Sequence, residues 1–197
     1  MFKNLIELTK VRIGFLVLTT TIIGFYLGAQ GKIDNMLLLF TVIGTLLSST
    51  GSSVMNNVIE SESDKLMDRT KNRVLPTKKI SLNFAKFLGI TFIISGLSIL
   101  YLKVNILTCI LSLLTIISYL FLYTPLKRKS WLNTSIGAIP GAIPPLGGWT
   151  AATNSLEWGG IAVFLILFFW QHPHFYSIAY MYLSLIHISE PTRPLYI

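Results

Sequence analysis

The chain has 197 residues, of which 52% are hydrophobic and 12% charged, and it carries a formal net charge of +8 at neutral pH. This balance excludes an ordinary soluble domain and reads as an integral membrane protein. The surplus of bases needs no nucleic acid, because membrane topology and contact with anionic lipid account for it.

Six apolar stretches are long enough to cross a hydrocarbon layer of about 30 Å, at residues 13–29, 36–59, 84–102, 104–123, 134–152 and 159–182. The fold class expected is therefore all-α, a polytopic transmembrane helix bundle. The alternating ten-residue strands of a membrane barrel are absent from the sequence. Thirteen bases fall before the first stretch, between the second and the start of the third, and between the fourth and fifth, against Lys32 and Lys103 in the other connections. Positive-inside topology then places the N-terminus in the cytoplasm. The first stretch is preceded by too few residues for a transit peptide and is too long for a signal peptide, so a bacterial inner membrane is the simplest address. The single cysteine, Cys109, excludes a disulfide framework and a cysteine metal site, and its apolar setting reads as packing.

The segment NNVIESESDKLMDRTKNR, residues 56–73, gathers four of the eight acidic residues, Glu60, Glu62, Asp64 and Asp68, beside a run of bases. If the second helix continues through it, Asn56, Glu60, Asp64 and Asp68 recur at steps of four and form one polar stripe. Like charges at that spacing repel by a few tenths of a kcal/mol per pair, so the stripe weakens an isolated helix unless a cation occupies it. Carboxylate oxygens suit Mg²⁺, which is commonly held by one or two carboxylates plus substrate phosphates. Glu62 points away from this face. Arg69, Lys71 and Arg73 supply direct partners for phosphate oxygens. The competing reading is a solvated loop whose acids and bases merely pair with one another.

Later segments bear on a cavity. Pro140, Pro144 and Pro145 remove backbone donors within a span, which is tolerated where a helix lines a protein cavity, and Gly137, Gly141, Gly147 and Gly148 permit close helix approach. Simple kinked packing would give the same pattern. His174 and His172 are candidates to bind a ligand or a metal, with a hydrogen-bonded structural role as the alternative. Phe164, Phe168, Phe169, Trp170, Phe175 and Tyr176 would either line an apolar tunnel or face lipid and neighbours.

On the residues Asn56, Glu60, Asp64 and Asp68, on YTPLKRKSWLNTSIGAIPGAIPPLGGW (residues 123–149) and on WQHPHFYSIAY (residues 170–180), the chain resembles the intramembrane aromatic prenyltransferases, and within them the heme-directed branch. The resemblance covers nearly all of residues 5–182. It implies transfer of a farnesyl group from farnesyl diphosphate to the vinyl group of protoheme IX (heme b), giving heme O for terminal oxidase assembly. It implies Mg²⁺ held by Asn56, Glu60, Asp64 and Asp68 as the catalytic set, with diphosphate bound by Arg69, Lys71, Arg73, Lys127 and Arg128, and heme bound by His174 and His172. Membrane lipid, and heme A synthase or oxidase assembly proteins, are the further partners it suggests. A quinone-type aromatic prenyltransferase and a polytopic transporter are the alternatives. Against transport, the acids cluster at one membrane edge rather than at the midplane.

The resemblance also implies nine spanning helices and a second acidic motif after the sixth, whereas this sequence leaves the pattern at Tyr182. The words LSLIHISEPTR within residues 183–197 resemble the translation of a transposon-type sequencing adapter. The expected organisation is a partial prenyltransferase domain over residues 1–182, inactive alone, followed by a non-native tail over residues 183–197.

Overall fold

The computed structural model describes residues 2–126 and 132–189. Seven helices follow one another: α1 (Phe2–Thr9), α2 (Val11–Ala29), α3 (Asn35–Asp64), α4 (Leu82–Val104), α5 (Ile106–Leu126), α6 (Asn133–Thr153) and α7 (Trp158–Ser189). No strand occurs among the described residues, so the architecture is an all-α polytopic bundle. Aliphatic runs set the helix interiors, and short polar residues set their starts. The Asp34 carboxylate accepts from the backbone N–H groups of Met36 and Leu37, Ser81 Oγ from Phe84, and Asn105 Oδ1 from Thr108, each meeting donors that a helix start leaves open. α4 and α5 widen to π geometry over Leu100–Val104 and Ser118–Tyr123.

Five helices are long and apolar enough to cross a membrane, namely α2, α3, α4, α5 and α7 over Trp158–Met181. The sixth expected span is helical too, as α6, yet its composition differs. Glycine, proline and threonine stand where lipid contact would call for aliphatic side chains, and residues 142–151 are buried. α6 is the enclosed helix of the bundle, packed on α2, α5 and α7. Its prolines do not break it, because a helix surrounded by protein has its freed backbone groups met by neighbours. Pro144 and Gly147 line a small cleft of about 50 Å³ with Thr21, Ser48, Thr108 and Ser112.

Two close helix pairs build the bundle. α3 lies along α4, and α2 along α6. A Cβ added to Gly96 would collide with the backbone of Ser48 and Gly44, and one on Gly148 with the carbonyl of Thr21. Small residues therefore set the separation of both pairs, as expected where lipid removes the hydrophobic drive for helix association. Polar links cross the interior: Ser112 Oγ donates to Ser48 Oγ at 3.1 Å, the hydroxyls of Thr108 and Thr150 lie 3.0 Å apart, and Asn105 Nδ2 donates to the Thr150 carbonyl at 2.9 Å. Leu8 of α1, Val54 and Val58 of α3, Leu75 of the following loop and Ala85 of α4 form a buried cluster at one end of the bundle.

Replacing Gly148 by alanine forces α2 and α6 apart. The expected loss is about 1–3 kcal/mol, read as a lower midpoint in detergent unfolding titrations, since overpacking a close contact costs that much. An unchanged midpoint would contradict the close approach.

Candidate functional site

The acidic face of α3 is where the bundle and its loop meet. Asn56, Glu60 and Asp64 succeed one another at single-turn steps and are 2%, 4% and 4% exposed. Burying two carboxylates near a helix C-terminus is doubly unfavourable, because both desolvation and the helix dipole oppose negative charge there. The surroundings supply compensation. Arg73 donates from Nη1 to Asp64 Oδ2 at 2.9 Å. Lys10 donates from Nζ to Asn56 Oδ1 at 2.8 Å, and Asn56 Nδ2 donates to Thr124 Oγ1 at 3.0 Å. Asn57, beside it, donates from Nδ2 to the Leu8 carbonyl at 2.8 Å and fastens α1 across α3.

The expected stripe is corrected at its last member. α3 ends at Asp64, so Asp68 leaves the face and lies in the loop with its side chain 90% exposed. The helix stops because Thr70 turns back and donates from Oγ1 to the Asp64 carbonyl at 3.0 Å, meeting an acceptor that the next turn would otherwise have used. Asp68 instead accepts from Lys71 Nζ at 2.6 Å, and that hydrogen bond, with the ammonium charge, holds its carboxyl below the usual carboxylate range. Glu62 accepts from Lys65 at 2.7 Å on the exposed side, in keeping with its expected orientation.

The basic run divides in the same way. Val74 and Leu75 are buried and anchor the loop, which aims Arg73 back at α3. Arg69 and Lys71 are exposed, with Lys71 committed to Asp68. Lys127 and Arg128 lie outside the described residues. Around Asp64 and Arg73 opens a pocket of about 340 Å³, lined also by Glu7, Lys10, Asn57 and Leu75. Tyr119 and Tyr123, stacked at 5.8 Å in the π stretch of α5, stand within electrostatic reach of Glu60. Of these, Tyr119 is not singled out by the sequence, Tyr123 and Thr124 enter only at the head of the YTPLKRK segment, and Lys10 only as a base counted toward topology.

The two histidines separate sharply. His172 faces α6: its Nδ1 lies 2.8 Å from the Phe168 carbonyl and so donates, which leaves Nε2 of a neutral ring to accept from Ser135 Oγ at 3.0 Å. His174 is exposed and stacks on Trp170 at 4.7 Å. The interior position thus belongs to His172. Ser135 is two residues before Gly137, where an added Cβ would meet the Tyr123 ring, so His172 lies toward the same end as the acidic face. Phe169, Trp170, Phe175 and Tyr176 are exposed on the outer surface of α7, as the lipid-facing alternative required.

Residues 17–187 match the UbiA prenyltransferase family. The chain belongs to that family. Its enzymes are generally divalent-metal dependent, and membership with the apolar helices makes this a multi-pass membrane protein. Similar curated proteins include the protoheme IX farnesyltransferase of Solibacter usitatus, 43% identical over 189 residues (91% of this chain, 65% of that protein). The protein of the same name from Aquifex aeolicus is 43% identical over 181 residues (91% and 62%). This chain thus spans about two thirds or less of the length of these UbiA relatives. A solved structure described as digeranylgeranylglyceryl phosphate synthase in membranes superimposes with a TM-score of 0.75 at 24% identity, covering 85% of this chain and 58% of that one, and shows the shared fold.

No group of three or more His, Cys, Asp or Glu side chains converges as a metal cluster among the described residues. Two hard carboxylates one turn apart nevertheless fit a divalent cation that draws its remaining ligands from phosphate and water. Glu60 and Asp64 are the pair present for that role, and Asp68 is not brought to them.

Arg73→Ala leaves Asp64 buried without its guanidinium. It should lower stability in detergent unfolding by about 1–3 kcal/mol, the cost of a polar group buried without its partner. Asp68→Asn, at a solvated position, should leave the midpoint where it was. Equal effects of the two substitutions would refute the division drawn between buried and exposed acids.

Proposed function

We propose that this chain carries the diphosphate-handling site of a protoheme IX farnesyltransferase in a bacterial inner membrane, with its N-terminus and the α3 to α4 loop in the cytoplasm. The observation that carries the reading is the buried pair Glu60 and Asp64 beside Arg73, in a chain of this family whose relatives at 42–43% identity bear that name.

In this reading Glu60 and Asp64 hold Mg²⁺, which when bound screens the negative charge that accumulates on the diphosphate. Arg73 meets the same oxygens directly, and its pairing with Asp64 keeps the guanidinium aimed before substrate arrives. The allylic C–O bond of farnesyl diphosphate breaks and pyrophosphate leaves. The terminal carbon of the protoheme vinyl group bonds to farnesyl C1, and water captures the adjacent cationic carbon and releases a proton. The products are the hydroxyethylfarnesyl heme, pyrophosphate and one proton. Tyr119 and Tyr123, stacked on each other on α5, are the aromatic rings that would stabilise an allylic cation near this end of the bundle. The apolar bundle keeps bulk water from the cation until the carbon–carbon bond has formed. His172, held by Phe168 through Nδ1, is the inward-facing histidine and would engage the heme by exchanging the Ser135 contact at Nε2.

The test uses a chimera joining this chain to the part of the Solibacter usitatus protein beyond the match. With heme and farnesyl diphosphate the wild-type chimera should yield farnesylated heme by mass spectrometry, with activity lost on chelation and restored by Mg²⁺. Asp64→Ala should lower turnover by at least about a hundredfold while membrane insertion persists. Turnover within about tenfold of wild type would remove Asp64 from the metal site, and a prenylated quinone precursor as product would move the chain to another acceptor class.

A further inference from the structure

Lys10 stands at a joint of one residue: α1 ends at Thr9 and α2 begins at Val11. Its backbone is left-handed, with φ 49° and ψ 50°, a conformation that glycine adopts freely and lysine does not. Gln30, Lys78 and Asn154 share a positive φ and, like Lys10, lie in connections outside the helices. A left-handed residue is a common helix ending, and here it fixes the direction in which the lysine side chain leaves the joint. The side chain does not cap its own helix. It crosses to α3 and donates to Asn56 Oδ1, while Asn56 is held from the other side by Thr124, whose hydroxyl donates to the Tyr119 carbonyl at 2.8 Å. Lys10 also lines the 340 Å³ pocket that contains Asp64 and Arg73.

We infer that Lys10 is a diphosphate-binding residue: the left-handed joint aims its ammonium along the acidic face of α3, Asn56 holds it there, and it meets the phosphate oxygens opposite Arg73. The inference rests on the proposed diphosphate site and adds a cation that the acidic motif and its basic run do not contain. It also gives Asn56 a second duty, since the oxygen expected to face a metal already accepts from an ammonium. Glu7, the other charged group lining the pocket, is exposed and does not replace these contacts.

The joint supplies its own control, because glycine keeps the backbone and removes the ammonium. Binding of inorganic pyrophosphate with Mg²⁺ is measured by calorimetry on the chain in nanodiscs of zwitterionic lipid, so that no lipid phosphomonoester or anionic headgroup competes. Lys10→Gly should weaken binding by about tenfold or more, as expected for loss of a charge-assisted contact, with a thermal midpoint no lower than wild type. Lys10→Asn, which also tolerates the left-handed backbone, should show the same loss, and Lys10→Arg should bind within about threefold of wild type. Normal pyrophosphate binding by the glycine and asparagine variants would overturn the inference and leave the diphosphate site standing. Absence of binding by the wild-type chain would overturn both. An affinity lost only when anionic lipid is added would assign Lys10 to headgroup phosphate and contradict the inference as well.

Discussion

Two carboxylates removed from water at the C-terminal end of a helix form the constraint around which one end of this molecule is organised. Glu60 and Asp64 face a dipole that disfavours them and a medium that does not solvate them. The fold answers with cations delivered from two directions. Arg73 comes from a loop fastened by Val74 and Leu75, and Lys10 from the joint between α1 and α2. Cluster packing of Leu8, Val58 and Leu75 and the acid–base contacts therefore depend on each other, since the same loop and the same short helix supply both. An acidic site held in this way suits the ligand proposed for it, one that brings its own negative charge together with a metal.

The rest of the bundle serves that end by holding α3 still. Gly44, Gly51, Gly89 and Gly96 let α3 and α4 touch along their backbones, and the Ser48 to Ser112 contact ties α3 to α5. α5 in turn brings Thr124 to Asn56 and the tyrosine pair to Glu60, with the π stretch setting the rotation at which they arrive. α6, enclosed and rich in glycine and proline, packs between α2, α5 and α7 and carries Ser135 to His172. Geometry at the acidic face is thus built from close backbone approach in the membrane, where hydrogen bonds and small residues replace the hydrophobic effect as the source of specificity.

Much of this was legible in the sequence, for identifiable reasons. Helix positions follow from apolar run length: the ends of α4 and α5 fall close to where residues 84–102 and 104–123 placed them, because lipid thickness fixes length, while α3 starts where 36–59 placed it and runs on to Asp64. The step-of-four pattern found Asn56, Glu60 and Asp64 on one face. It overshot at Asp68, because the stop is made by Thr70 folding back on the Asp64 carbonyl, a local turn contact that the periodicity of the acids does not reveal. Lys10 counted as one base among thirteen, since nothing in LTKVRI announces a left-handed joint. The sequence offers both His174 and His172 as candidates; two residues apart on a helix they face different ways, and only contacts with Phe168 and Ser135 show which one looks inward.

The central claim is that the buried pair on α3, and not the exposed acid after it, holds the cation that accompanies diphosphate. Crystals grown with Mn²⁺ and pyrophosphate test it directly through the anomalous signal of the metal. The account predicts a peak at about 2.1 Å from carboxylate oxygens of Glu60 and Asp64, the distance of a small divalent ion. A peak coordinated by Asp68, or none beside α3 while pyrophosphate is bound, would contradict it.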